Sequence, residues 1–312
     1  MFLTALATGV ASQATGTRAW AAQPVSVMHA DSLTSVFQQK LAPDFERRSG
    51  SRAEGEGRGS VAIAKLIAAG LKTPDVFISA DASVTKNLLK SGAVTWYATF
   101  ATTRLLLAYS PKSPHAARFA EVAAGKRRWY EVLREPGLRI GRSDPATDPK
   151  GYRTLIMMQL AQTLYAQPAL RESIFGADRN PEQILPDETI LARLDQGDLD
   201  VAVLYAVQST SRRLPTIELD PRINLGDSRL AANYAQASVT IEGVERRGEP
   251  ILYAFTIPEH AANPTGAASF LQYFLSKDAR RALDDAGLQS QPPQYYGDLA
   301  SVPDLLREAK KR

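Results

Sequence analysis

Serine hydroxyls at the starts of helices are the side chains of this sequence best suited to contact an anion. Ser32 follows the apolar stretch VSVMHA, and Ser60 follows the glycine-rich stretch GEGRG. A third junction, GRSDPATDPKGYRT at 141–154, precedes the apolar run LIMMQLAQTLY. Free backbone amides at helix N-termini favour anions, and a serine adds a hydroxyl donor. The three junctions therefore predict an anion site built from neutral donors, although serine is also common at helix starts without any ligand.

The acids of the third junction oppose this prediction. A carboxylate repels a neighbouring anion unless it is protonated or coordinates a metal. Asp144 and Asp148 also have structural interpretations, because Asp-Pro pairs shape turns and an aspartate can cap the helix that follows. We predict a turn role for Asp144, whereas a ligand role and a capping role both stay open for Asp148.

Several kinds of reactive or metal-binding site are absent from the sequence. It contains no cysteine, which excludes disulfides, thiolate catalysis and cysteine-ligated metals. Its three histidines, His29, His115 and His260, match no zinc motif. No GxSxG or GxxxxGKS/T motif occurs, and GEGRGS lacks the spacing of a dinucleotide fingerprint. We therefore expect a binding protein without a cofactor, and not an enzyme.

The composition is that of a soluble globular protein with more than one domain. The chain has 312 residues, of which 44% are hydrophobic and 22% charged. Its net charge of +4 is spread along the chain, so nucleic acid is not an expected partner. Residues 1–22 contain a short apolar run and a small-x-small pattern, which predict an export signal and a periplasmic location. A plain N-terminal tail is the alternative for this segment.

The elements that position these residues alternate between strand and helix patterns. Strands are predicted at VSVMHA, DVFISA, ATTRLLLAYSP, LRIGRSD, VAVLYAV and PILYAFTIP, with GEGRGS at 55–60 as a turn. Ser32 is predicted to cap a helix that ends at Gly50. Such alternation predicts an α/β fold with mainly parallel sheets. The length favours two lobes, and the ligand should bind in the cleft between them, beyond the carboxyl ends of the strands.

The chain resembles the periplasmic substrate-binding proteins of ABC importers in MHADSLTSVFQQKLAPDFE, GRGSVAIAKLI and PDVFISADASV, and within them the molybdate/tungstate-binding branch. GRSDPATDPKGYRT, LDQGDLDVAVLY, INLGD and EPILYAFTIPEHAANPTGAASFLQYFLS continue the similarity. The resemblance implies a two-lobed fold that captures molybdate or tungstate, serves an ABC permease at the membrane and acts as a monomer. Lobe one would comprise residues 23–103 and 250–312, and lobe two residues 104–249.

The resemblance also implies which groups contact the ligand. Ser32 and Ser60 would donate hydroxyl and amide hydrogen bonds from lobe one. The backbone amides near Lys150 and Gly151 would donate from lobe two, together with the phenol of Tyr205. A fully deprotonated tetrahedral dianion only accepts hydrogen bonds, so a site rich in donors suits it.

One part of the family pattern is altered in this sequence. In archaeal-type members, carboxylates complete the coordination of molybdenum or tungsten, and Asp148 matches one of them. The second carboxylate would lie at the position of Leu204, so expanded coordination is in doubt. Sulfate, phosphate, a ferric complex or a small organic anion therefore stay open as ligands, and an enzyme on the same fold is a further alternative.

Overall fold

The strands of residues 23–308, which the computed structural model describes, form two separate sheets whose central strands are apolar runs. The larger sheet contains, in order across it, β12 (Gln289–Gly297), β4 (Trp96–Thr102), β11 (Leu252–Thr256), β3 (Val76–Ser79), β1 (Val25–Ala30) and β2 (Ala53–Arg58). The smaller sheet contains β6 (Ile140–Gly141), β7 (Val201–Tyr205), β5 (Leu105–Tyr109) and β8 (Thr216–Glu218). A separate hairpin pairs β9 (Ser238–Ile241) with β10 (Val244–Arg247). The predicted export signal at 1–22 lies outside the described residues.

Helices cover both sheets and complete the predicted α/β fold, which is confirmed. On the larger sheet lie α1 (Thr34–Val36), α2 (Ala42–Ser49), α3 (Ser60–Ala68), α4 (Ala82–Lys90), α12 (Pro264–Phe274), α13 (Lys277–Asp285) and α14 (Asp304–Glu308). With the smaller sheet are α5 (Ala116–Ala123), α6 (Trp129–Leu133), α7 (Pro149–Leu164), α8 (Leu170–Phe175), α9 (Asp187–Gln196), α10 (Ala206–Arg212) and α11 (Ala231–Tyr234). We call these two groups the large-sheet lobe and the small-sheet lobe. No helix in the described range is long and apolar enough to cross a membrane.

The strand directions differ from the expectation of mainly parallel sheets. Within the two sheets, β1–β2, β1–β3 and β6–β7 are parallel, whereas the other five neighbouring pairs are antiparallel. The antiparallel pairs of the larger sheet all involve β4 or β11, the strands at which the chain leaves this sheet and returns to it. A strand that enters from the other lobe is free of the crossover geometry that makes consecutive βαβ strands parallel.

The predicted strand ATTRLLLAYSP is divided between the two sheets. β4 ends at Thr102 and β5 begins at Leu105, so the chain passes from one sheet to the other within two residues. The Thr102 hydroxyl donates to the carbonyl of Ile251, 2.6 Å away, which joins this crossover to the returning chain just after Pro250. The lobe limits at 103/104 and 249/250 stay a prediction.

GEGRG at 55–59 was predicted as a turn, but its residues up to Arg58 form the edge strand β2, parallel to β1. A Cβ at Gly55 would lie 2.3 Å from Cε1 of Phe37, and one at Gly57 would lie 2.4 Å from Oγ1 of Thr34. The helical segment after β1 therefore packs directly on this strand. Glycine is required here by that close approach and not by a turn.

Candidate functional site

Ser32 lies in the cleft wall, but it does not cap a helix as predicted. The helical segment after β1 begins with a 3₁₀ turn, Asp31–Leu33, whose N-cap is Ala30. The Ser32 hydroxyl instead lies 2.7 Å from the hydroxyl of Tyr253 in β11. Ser32 and Tyr253 are both buried, so the two side chains form one pair of hydroxyls that is shielded from water.

Ser60 begins α3 and is completely buried. Its Oγ accepts a hydrogen bond of 3.0 Å from the backbone amide of Ala80, which follows β3. The carbonyl of the same residue, Ala80, accepts a hydrogen bond of 2.6 Å from Nη1 of Arg153 in α7. Ser60 is thereby connected through Ala80 to the small-sheet lobe.

Tyr205 ends β7 and lies across the cleft from Tyr253, with 6.2 Å between the ring centres. The Tyr205 hydroxyl accepts a hydrogen bond of 2.9 Å from Nη1 of Arg153. Burial raises the pKa of Tyr205 above its ordinary value of 10.0, so the phenol keeps its proton at neutral pH.

These hydrogen bonds leave hydroxyl protons available for a ligand. Ser60 accepts from an amide and Tyr205 accepts from a guanidinium, and neither partner group can accept a proton in return. Within the Ser32–Tyr253 pair, one of the two hydroxyl protons is used between the two oxygens. The described contacts therefore leave three hydroxyl protons on these buried side chains, and each can be donated to an acceptor.

The N-terminus of α7 contacts the large-sheet lobe directly. The amide of Ala62 donates to the carbonyl of Thr147, 3.2 Å away, which joins α3 to the loop before α7. A Cβ at Gly59 would lie 2.4 Å from the same carbonyl oxygen. This close approach brings Asp148 beside the start of α3, where Ser60 lies.

Asp148 is the N-cap of α7, the capping role that the sequence left open. Its Oδ1 accepts from the amide of Lys150 at 2.6 Å, and its backbone carbonyl accepts from the amide of Gly151 at 3.0 Å. Both amides that were predicted to contact the ligand are thus bonded to Asp148. Asp144 accepts from the amide of Ala146 at 2.9 Å, which confirms its predicted turn role.

The side chain of Lys150 is buried and paired. Its Nζ lies 2.8 and 2.9 Å from the two carboxylate oxygens of Asp187 and donates to Oε1 of Gln208 at 2.8 Å. Ser143 and Gln208 also donate to Asp187, each at 2.7 Å. The charge of Lys150 is therefore matched within the small-sheet lobe.

Three carboxyl groups meet at the cleft beside this pair. Oxygens of Asp31, Asp148 and Asp187 lie within 4.8 Å of one another, the one group in the described residues that is spaced to hold a metal ion. Burial, and then the neighbouring acids, raise the pKa of Asp31 from 3.8 to about 8. The same causes raise the pKa of Asp148 to about 7. At pH 7 Asp31 is therefore mostly protonated and Asp148 about half protonated, while the ammonium of Lys150 supplies a cation beside Asp187.

The cluster opens into an interlobe cavity of about 670 Å³. The large-sheet lobe contributes Asp31, Gly57 to Gly59 and Ala62 to its wall, and the small-sheet lobe contributes residues 143, 144, 147, 148 and 184–188. Five carboxyls line the cavity, since Asp144 and Glu188 join the cluster, and Arg58 is the basic residue among the lining residues. Ser32, Ser60, Tyr205 and Tyr253 are not among its lining residues, although Asp31 and Gly59 are the chain neighbours of Ser32 and Ser60.

Leu204 occupies the position at which the resemblance implies a second carboxylate, and its side chain does not line the cleft. Leu204 is buried in a small hydrophobic cluster with Leu106 and Ile190. Tyr205, the next residue, packs in the main cluster instead, because successive side chains of a strand point to opposite faces. Asp187, at the start of α9, is the carboxylate that lies beside Asp148.

Sequence reasoning missed Asp31, Asp187, Gln208 and Tyr253. Asp31 and Asp187 had a detectable signal, because each is the first residue of a helical segment, as Ser60 is. Tyr253 had none, since it lies within an apolar strand that reads as core. Gln208 becomes relevant only through its contacts with Lys150 and Tyr205.

The fold and this site define a two-lobed α/β binding protein with buried donors between its lobes, and comparisons with known proteins agree. Residues 25–289 match the sequence profile of the family described as bacterial extracellular solute-binding protein. A protein of Haloferax volcanii named as an ABC transporter molybdenum-binding protein is 34% identical over 281 residues, which cover 89% of this chain and 86% of the relative. The molybdate/tungstate-binding protein of Thermococcus kodakarensis is 27% identical over 309 residues, covering 90% and 85%.

A solved structure is similar at the level of the fold. The periplasmic molybdate-binding protein of Azotobacter vinelandii aligns with a TM-score of 0.56 and 20% identity, covering 85% of this chain and 98% of that one. This chain therefore belongs to the family of bacterial extracellular solute-binding proteins.

Proposed function

We propose that this protein captures molybdate or tungstate outside the cytoplasm and delivers it, as a monomer, to an ABC permease without catalysing a reaction. Two relatives carry names that refer to these ligands. The observation that carries the proposal is the set of unshared hydroxyl protons on Ser60, on Tyr205 and on the Ser32–Tyr253 pair.

These protons match the chemistry of the ligand. A fully deprotonated tetrahedral oxyanion has four acceptor oxygens and no proton to give, so a group that offers only lone pairs would repel it. Hydrogen bonds to a charged acceptor contribute about 1.5–3 kcal/mol each when the donors are held in place. Ser60 and Tyr205 are held in place by the donors that occupy their lone pairs.

The protonation state of Asp31 and Asp148 decides whether an anion can bind beside these two carboxyls. We infer that Asp148 lies beside the anion as a neutral carboxyl and helix cap, and does not coordinate molybdenum or tungsten. Its raised pKa of about 7 supports this inference, as does the burial of Leu204 in the hydrophobic cluster. Asp31, with a pKa of about 8, would be neutral more readily still.

A hydrogen-bearing oxyanion such as hydrogenphosphate is the second candidate ligand. The observation that favours it is the group of acceptor oxygens on Asp31, Asp148 and Asp187, because an ionised carboxylate can accept the proton of such an anion.

Isothermal titration of the purified chain with molybdate, tungstate, sulfate and phosphate tests the proposal. We expect tight binding of the first two, and a loss of about tenfold or more in Ser60→Ala and in Tyr205→Phe. Ser113→Ala and Tyr234→Phe are matched controls, because each removes a buried hydroxyl that bonds elsewhere, to Asp200 and to the carbonyl of Pro221. Binding of phosphate alone would support the second candidate, and no binding of any of the four would refute both.

A further inference from the structure

One guanidinium bridges the two lobes at the base of the cleft. Arg153 lies in the first turns of α7 and is 2% exposed. Its Nη1 donates to the carbonyl of Ala80 in the large-sheet lobe and to the hydroxyl of Tyr205 in the small-sheet lobe. Its Nη2 lies 3.2 Å from Oδ2 of Asp81. Arg153 is thus the common neighbour of the two residues that follow β3 and of one proposed ligand donor.

Asp81 is fixed within the large-sheet lobe. Its Oδ1 caps α4 by accepting from the amide of Ser83 at 2.7 Å, and its own amide donates to the Ser79 hydroxyl at 3.0 Å. The remaining oxygen, Oδ2, accepts a hydrogen bond from the Tyr152 hydroxyl and forms the ion pair with Arg153. Two consecutive residues of α7 therefore hold one carboxylate of the opposite lobe.

The bond from Arg153 decides how the Tyr205 hydroxyl can be used. A guanidinium only donates, so the phenol accepts on that side and its single proton must point elsewhere. Without Arg153, this constraint on the direction of the phenol proton would be lost. In addition, Nη2 makes no hydrogen bond of good geometry within the described residues, although it is buried.

We propose that Arg153 is a positioning residue that orients the Tyr205 phenol as a donor to the bound anion and, through Asp81, locks the two lobes around it. This inference rests on the proposed function. It couples closure to site assembly, because one guanidinium joins the lobes through Ala80 and Asp81 and, by a separate bond within the small-sheet lobe, leaves the phenol proton of Tyr205 free. Opening the cleft would separate Arg153 from Ala80 and Asp81 and so weaken the hold on the ligand.

The test is titration of the full chain with molybdate, together with stopped-flow measurement of its dissociation. Arg153→Gln should weaken binding by about 30-fold or more, mainly through faster dissociation, as expected when one partner of a buried charge pair is removed. Arg142→Gln is the matched control, because Arg142 is also fully buried but donates to the carbonyls of Ala177 and Asp178 within its own lobe. It should lose thermal stability while keeping the affinity.

A double variant separates positioning from general structural damage. If Arg153 acts through Tyr205, the affinity of Arg153→Gln/Tyr205→Phe should agree with that of Arg153→Gln within about twofold, whereas independent effects would multiply. Tyr152→Phe, which removes only one bond to Asp81, should weaken binding less and still fold. Multiplying losses, or equal losses in the Arg153 and Arg142 variants, would overturn the inference.

The lock can be measured without a ligand, which separates this inference from the proposed function. If the wild-type chain does not bind molybdate, the proposed function fails. Small-angle scattering then decides about the lock, since Arg153→Gln should increase the radius of gyration and Arg142→Gln should not. An unchanged radius in Arg153→Gln would refute the lock.

Discussion

Binding of an oxyanion beside Asp31 and Asp148 should be accompanied by proton uptake. Burial and neighbouring acids raise the pKa of the two carboxyls to about 8 and about 7. A bound anion repels an ionised carboxylate, so the complex favours the protonated form of both groups. Protons are therefore taken up at pH values where the free protein has lost them, and the affinity should fall as the pH rises.

The magnitude follows from these two pKa values. If both carboxyls are neutral in the complex, binding should be about 20-fold weaker at pH 8 than at pH 6. The expected uptake is about 1.4 protons per ligand at pH 8 and about 0.1 at pH 6. Titration calorimetry in buffers of different ionisation enthalpy measures this number directly. Asp31→Asn/Asp148→Asn should abolish most of it, and Asp195→Asn, which changes an exposed acid of α9, should not.

Two results would refute this reasoning, and each has a distinct meaning. Proton release at pH 6 would show that Asp148 becomes ionised in the complex, as coordination of molybdenum or tungsten requires. No proton exchange at pH 8, with an unchanged affinity, would show that the anion binds away from both carboxyls.

Three further predictions concern stability. Lys150→Met should lower the free energy of unfolding in urea by about 3–5 kcal/mol, because it leaves Asp187 buried without its cation. The double variant Lys150→Met/Asp187→Leu should recover most of this loss. An unchanged free energy of unfolding in Lys150→Met would contradict the prediction. Asp31→Asn should raise the melting temperature more at pH 9 than at pH 6. The reason is that an acid whose pKa is raised in the folded protein destabilises the fold increasingly as the pH rises from the pKa of the unfolded chain, 3.8, toward the folded pKa of about 8. Equal changes in melting temperature at the two pH values would argue against it. Gly55→Ala should lower the free energy of unfolding by about 1–3 kcal/mol in the same urea assay, because its Cβ would collide with Phe37. Adding Phe37→Leu, which makes that side chain smaller, should partly relieve the collision. An unchanged free energy of unfolding in Gly55→Ala would mean that β2 can move away.

Local signals account for the part of the fold that the sequence predicts. The first helical segment ends at Gly50 with a φ of 71°, and α9 ends at Gly197 with a φ of 89°, as glycine at a helix end indicates. Strand direction and edge pairing are long-range properties, and these were not predicted. β12 contains two prolines in QSQPPQYYG, which argue against a strand, and the structure places them where the register with β4 shifts, between Ser290 and Gln294.

The candidate site also has a part that local sequence signals predict and a part that depends on long-range contacts. Ser32 and Ser60 could be selected because each lies at a junction between a strand and a helix, and Tyr205 because the resemblance to a known family implies it. Their hydrogen-bond partners could not, because Tyr253 lies 221 positions from Ser32, and Arg153 lies 52 positions from Tyr205. Whether each hydroxyl can donate to a ligand depends on those partners, so a serine or a tyrosine at a strand–helix junction does not by itself define a donor site.

The charges of the cleft explain how an anion can enter a cavity lined by acids. Lys150 neutralises Asp187 on the small-sheet side, and Asp81 neutralises Arg153 at the base. At pH 7 Asp31 is mostly protonated and Asp148 about half protonated, so the wall that faces the ligand carries less negative charge than its carboxyls alone would suggest. Attraction must then come from oriented hydroxyl protons, which distinguish a fully deprotonated oxyanion from one that carries a proton. On this argument the acids do not exclude the anion; they make its capture tighter as the pH falls from 8 to 6.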